Sequence, residues 1–206
     1  MKAIRTIAGI TAAGVLALGL LTACTPTDEP TPKPTESSTS TPSPTPTPTA
    51  AAEPASDTDA IAAGYATAQE YFRIWDEIVN ENPADTSPID AIAYESAKDA
   101  VVRNAANNAA KGYTVKGNVK FTLLDGQSYA APARGNGVTE SEYGQPILYG
   151  CVDYSEARAY DKDGTAFPPP NPSSVKVEVI ARFFKAESRW AIISYTQDLE
   201  STECAS

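Results

Sequence analysis

The stretch "TVKGNVKFTLL", residues 114–124, decides the fold. Val115, Val119, Phe121 and Leu123 alternate with Lys116, Asn118, Lys120 and Thr122, the two-residue period of a half-buried strand. The chain before it keeps a different period. In "SDTDAIAAGYATAQEYFRIWDEIVNEN" (56–82), Ile61, Tyr65, Ala68, Phe72, Trp75 and Val79 recur at three- and four-residue steps. That spacing predicts one apolar stripe on a helix of about six turns. Ser56 or Asp57 caps it, Asp59 adds negative charge to its first turn, and Pro83 ends it. The region 86–112 follows with Ser87 as cap, Pro88 at the first helical position, Asp90 behind it and Gly112 as stop. Its alanine-rich middle, with Ile89, Ile92, Ala97 and Val101, reads as one helix or two.

Past residue 114 the two-residue period dominates. "PILYGCVDYSEARAY" (146–160) is expected as a second strand and "DKDG" (161–164) as a turn. "SSVKVEVIARFFK" (173–185) alternates through Val175, Val177, Val179 and Phe183, and a short turn joins it to "RWAIISYTQ" (189–197) as a hairpin. "RGNGVTESEYGQ" (134–145) and "FPPPNP" (167–172) are expected as loops, because Pro cannot donate to a ladder and Gly weakens strand interiors. Helices first and strands after predict an α+β fold, with the N-terminal helices packed on one face of an antiparallel sheet.

Upstream of this domain (57–206) lie two segments of different character. Residues 1–23 carry Lys2 and Arg5, then the apolar run Ile7–Leu20, then "LTAC" ending at Cys24. Cations followed by an apolar run too short to span a bilayer have the layout of a secretory signal. "LTAC" resembles the bacterial lipobox, which implies a diacylglyceryl thioether on Cys24 and a chain held to the lipid bilayer through that residue. Residues 24–56 are dominated by Pro and Thr and hold no aromatic or branched aliphatic side chain. Such a segment cannot bury enough apolar surface to offset its ordering entropy, so a disordered, extended linker is expected. The reading places the domain at the extracellular face of the cell membrane.

The chain has 206 residues and a net charge of −10, with 26 acidic against 16 basic residues, and no basic stripe. Nucleic acid is therefore a poor partner, and so is an anionic lipid surface. The "DLESTE" run (198–203) reads as a solvated charge cluster.

The long amphipathic helix, the helical region ending in "KGYTVKG" (111–117), "CVDYSEARAYDKDGT" (151–165) and the closing "RWAIISYTQ" together resemble the actinobacterial lipoprotein branch of the nuclear-transport-factor-2-like superfamily, also termed SnoaL-like or ketosteroid-isomerase-like. The resemblance covers roughly residues 57–204. It implies a cone-shaped, cystatin-like roll, a curved sheet wrapped by helices, often with a pocket inside. Active relatives use Asp, His or Tyr groups within the cone for proton transfer.

The sequence contains no histidine, which removes Ser-His-Asp and Cys-His catalysis and the commonest zinc ligand. With Cys24 assigned to lipid, Cys151 and Cys204 are the remaining thiols, and an even pair in an exported chain is expected as a disulfide. No metal or cofactor is expected. Asp153 is the one carboxylate in an apolar strand context. It could act as a base, or it could hydrogen-bond a neighbouring loop. Tyr65, Phe72, Trp75, Trp190 and Tyr195 could line a pocket with Asp153 or form plain core. Three functions stay open: a non-catalytic module binding a small ligand or an envelope accessory role, a SnoaL-like isomerase or dehydratase, and an interaction module serving an envelope protein complex or phage exclusion.

Overall fold

A computed structural model describes residues 51–204. The signal segment, Cys24 and the linker up to residue 50 lie outside the described residues.

Helix α1 runs Asp57–Glu81. Ser56 is its N-cap, the side-chain oxygen accepting from the Asp59 N–H at 3.1 Å, and the chain leaves the helix at Asn82, ahead of Pro83. Ala68, Phe72 and Val79 of the expected stripe are buried, and Ile61, Tyr65 and Trp75 pack against the core from its edge. Tyr71, Ile74 and Ile78 widen that stripe. The second helical region divides in two. A 3-10 turn, Ser87–Ala91, carries Pro88 in its first turn, and α2 runs Glu95–Lys111, ending at Gly112 with φ 66°. Between them, Tyr94 N–H donates to the Ile192 carbonyl (2.9 Å) and Ile192 N–H to that of Ile92 (2.8 Å). This bridge covers part of the sheet edge next to α2.

Seven strands follow: β1 Thr114–Lys116, β2 Lys120–Leu123, β3 Tyr129–Gly135, β4 Val138–Asp153, β5 Arg158–Tyr160, β6 Ser174–Phe184 and β7 Arg189–Asp198. The main sheet is antiparallel in the order β2-β4-β6-β7, with β3 pairing the first half of β4. It is curved, does not close into a barrel, and carries the two helices on one face, an α+β fold as expected. β1 and β5 form a separate two-stranded sheet. No helix among the described residues is long and apolar enough to cross a membrane.

Three boundaries differ from the sequence reading. The alternating run 114–124 is broken: Gly117, at φ 85°, turns the chain between β1 and β2 and sends its halves to different sheets. A side chain at Gly117 would collide with the Glu156 backbone. The expected strand 146–160 ends at Asp153, with a turn before β5. Residues 134–145, expected as a loop, are largely strand, with Asn136 and Gly137 both at positive φ in a tight turn between β3 and β4. Asn-Gly meets the left-handed geometry that such hairpin turns require.

The core lies between the helices and the inward face of the sheet. Leu148 and Val152 of β4, Val177, Val179 and Ala181 of β6 and Ile192 of β7 meet Ala68, Tyr71, Phe72, Ile74 and Ile78 of α1 and Ala97, Val101 and Ala105 of α2.

Candidate functional site

The two-residue period of β4 sorts the "LYGCVDYSE" segment onto two faces. Leu148 and Val152 point into the core, whereas Tyr149, Cys151 and Asp153 alternate with them and face away from the helices. Cys151 is bonded to Cys204 there, with Cα atoms 5.6 Å apart, as expected from the sequence. The bond fastens the tail after β7 across the outer face. Lys176 reinforces it by pairing with Glu203 at 2.7 Å. Tyr149 donates to Glu178 at 2.8 Å on the same face.

Asp153 therefore does not face the interior. Its Oδ1 accepts the Ser155 N–H at 2.8 Å and organises the turn after β4. Of its two sequence readings, the local hydrogen bond is the one the geometry contains.

The expected aromatic group separates into two sites. Tyr65, Phe72, Trp75 and Tyr195 come together with Tyr71 and Phe121, with ring centroids 5.2–6.3 Å apart. These rings fill the space under α1, with Tyr71 and Phe72 exposed by 3% or less. Trp190 lies apart, 5.3 Å from Phe183, and borders a groove beneath residues 51–55 at the start of α1.

Polar atoms in the aromatic core are bonded. Tyr71 hydroxyl donates to the Ala97 carbonyl at 2.9 Å. Gln197 Nε2 donates to the hydroxyls of Tyr154 (2.8 Å) and Tyr195 (2.7 Å), which sit 3.2 Å apart. Burial raises all three phenols above their ordinary range and keeps them protonated.

Open space remains at the other end of α1. A cleft of about 360 Å³ is bounded by Asp76 and Val79 of α1, Asn104 of α2, Val115, Val119, Tyr154, the β5 segment Ala157–Ala159, Pro168 and Pro170. A more polar hollow holding Arg73, Glu77, Asn80 and Asn118 adjoins it, sharing Asp76 and Val119.

Asp76 is the residue that sequence reasoning missed. It is 8% exposed, and its Oδ2 accepts the Val119 N–H at 2.9 Å. Burial pushes its carboxyl up to about 6, while the Val119 N–H pulls the other way. A signal was present: Asp76 stands one turn after Phe72 and three residues before Val79, a carboxylate inside the apolar stripe. Among the described residues no group of three or more His, Cys, Asp or Glu side chains could hold a metal ion.

No family model matches this chain, and no curated protein is similar to it. Among solved structures, the intermembrane space region of the chloroplast protein ARC6 aligns with a TM-score of 0.44 at 12% identity, covering 71% of this chain and 97% of that one. A structure from Catenulispora acidiphila in complex with S-DNPA gives 0.32 at 15% identity, covering 66% and 92%. A de novo β-sheet design solved by NMR gives 0.29 at 16% identity, covering 71% and 94%. Likenesses this slight carry no argument about the site. What the geometry defines is an α+β domain with a core rich in aromatic rings and a cleft beside the later turns of α1.

Proposed function

We propose that the chain is a lipid-anchored module at the outer face of the cell membrane, with a nuclear-transport-factor-2-like domain that binds a ligand at the end remote from its tether. One observation carries this reading. The chain arriving from the linker is held at the start of α1, where Ala51 N–H donates to Ser188 at 2.8 Å and Glu53 pairs with Lys185 at 3.0 Å. Asp76 and the cleft stand toward the other end of that helix, about 29 Å further on at 1.5 Å per residue. A tether entering opposite a cleft suits a module that presents the cleft outward. The lipobox-like "LTAC" and the Pro/Thr-rich linker support the anchor, and the Cys151–Cys204 bond suits an oxidising compartment. The ring-filled interior supports binding over an enclosed reaction chamber.

Photo-crosslinking on intact cells tests this. A crosslinking residue at Pro170 is expected to capture a ligand or envelope partner, and one at Lys185 is not. Capture at Lys185 alone would overturn the orientation. For the anchor, Cys24→Ser is expected to move the protein from the membrane to the soluble fraction, and unchanged membrane partitioning would refute lipidation.

A second reading is favoured by Asp76 and Tyr154 lining one cleft. A buried carboxyl raised to about 6, in a cleft that a tyrosine also lines, is the kind of base that an isomerase uses to move a proton next to a carbonyl. Loss of an enolisation activity in Asp76→Asn, with the fold retained, would select it. Turnover unchanged by that substitution would dismiss it.

A further inference from the structure

We propose that the cleft beside Asp76 binds a small organic ammonium, a protonated amine carried on an apolar body. The inference rests on the reading of the domain as a binding module and is independent of the lipid anchor.

A buried carboxylate is stable when ionised only if it is paired. Asp76 takes part in no ion pair among the described residues, and beyond the Val119 N–H bond to Oδ2 its Oδ1 has no donor there. The cationic side chains that share its two hollows are already engaged. Arg73 is held by Glu70 at 2.7 Å and Glu77 at 2.9 Å, and Arg158 donates to the Ser155 and Ala157 carbonyls. A cation supplied from outside the domain would pair this carboxylate.

A second acceptor stands one turn further along the same helix face. Asn80 spends its Nδ2 on the Gly117 carbonyl at 2.8 Å, which leaves its buried Oδ1 without a donor. Asn80 lines the adjoining hollow, and an ammonium in the cleft brings up to three N–H donors toward Asp76. The walls describe the rest of the ligand. Val79, Val115, Val119, Ala159, Pro168 and Pro170 offer an apolar lining, and about 360 Å³ accommodates a ring-sized body. The Tyr154 ring on the same wall adds an aromatic face that favours a cation. Glu77 and Glu81, in the adjoining hollow, discourage an anion.

Calorimetric titration of the full-length chain in detergent micelles tests this with three probes that share a ring: phenethylamine, 2-phenylethanol and phenylacetate. At pH 8, phenethylamine is expected to bind saturably, at least about tenfold more tightly than the alcohol, with phenylacetate weakest. Asp76→Asn keeps an acceptor for the Val119 N–H and is expected to erase the preference for the amine. Ala159→Phe, which fills the cleft without altering Asp76, is expected to abolish phenethylamine binding. Should Asp76→Asn fail to fold, the amine–alcohol ratio in the unaltered chain and the Ala159→Phe result still decide the matter. Equal affinities for amine and alcohol, or no saturable amine binding, would overturn the ammonium assignment. Crosslinking at Pro170 on cells then separates the two readings. Capture there with no amine preference faults the ligand class, and no capture at all faults the binding module.

Discussion

The middle turns of α1 and the turn that follows them treat their buried face in opposite ways. In its middle turns the helix sends Ala68, Tyr71 and Phe72 into a buried interior packed with aromatic rings. One turn later the same face offers a carboxylate, Asp76, to a cleft walled by a small accessory sheet and a Pro-rich loop. The middle turns hold the core together, and the later turn carries a buried carboxylate with one hydrogen-bond partner, the Val119 N–H. A buried charge beside an unfilled space is where chemistry is to be sought, whereas a cluster of aromatics at helical spacing is core.

Substitutions in the two regions should differ accordingly. The largest effect is expected for Phe72→Ala, a loss of about 4 kcal/mol, measured by urea denaturation, because neighbouring rings cannot close the cavity. Val115→Ala, at the cleft wall, is expected to cost less than about 1.5 kcal/mol. Equal losses would erase the distinction between a packed region and an open one. Cys204→Ser is expected to cost about 3 kcal/mol by freeing a loop that joins residues 53 apart in sequence. It should leave the cleft unchanged, since the bond lies on the outer face. Altered phenethylamine affinity in that variant would couple two regions held here to be separate.

Asp76 gives a smaller effect of opposite sign. Its folded carboxyl sits at about 6 against an ordinary 3.8, so the folded state binds the proton more tightly than the unfolded chain does. That contribution is fully present below pH 3.8 and is lost as pH rises through about 6. Asp76→Asn is therefore expected to stabilise the protein at pH 8 by about 2 kcal/mol relative to pH 4, compared with the unaltered chain. Arg73, Glu77, Glu81 and Arg158 are the charged groups around the two hollows. Asp153→Ala should do least, about 0.5–1 kcal/mol from the lost Ser155 turn bond, with no effect on binding. A binding defect there would restore Asp153 to the site.

How far these features were legible in the sequence follows from the physics of each. The helix stripe and the alternation of β6 were readable because each buries one face, and burial imposes a period. β3 and the first half of β4 were not, since Val138, Thr139, Glu140 and Glu142 are exposed and leave no alternation to see. Asn136-Gly137, which the loop reading did not single out, meets that turn's backbone demands. The disulfide was readable because export and the thiol count leave Cys151 one partner. The site was not, because Asp153 drew attention through its apolar neighbours in sequence, while the alternation of β4 turns it outward. Asp76 hid among helix-surface charges, and its place in the stripe becomes visible only when its angular position is compared with Phe72 and Val79.

The most direct test is an NMR titration of the Asp76 side-chain carboxyl ¹³C resonance in the unliganded protein. The expected midpoint is about 6, moving down when phenethylamine is added, because a paired cation favours the ionised form. A midpoint at the ordinary 3.8, unmoved by the amine, would contradict the claim that the end of α1 holds a buried carboxylate awaiting a cation.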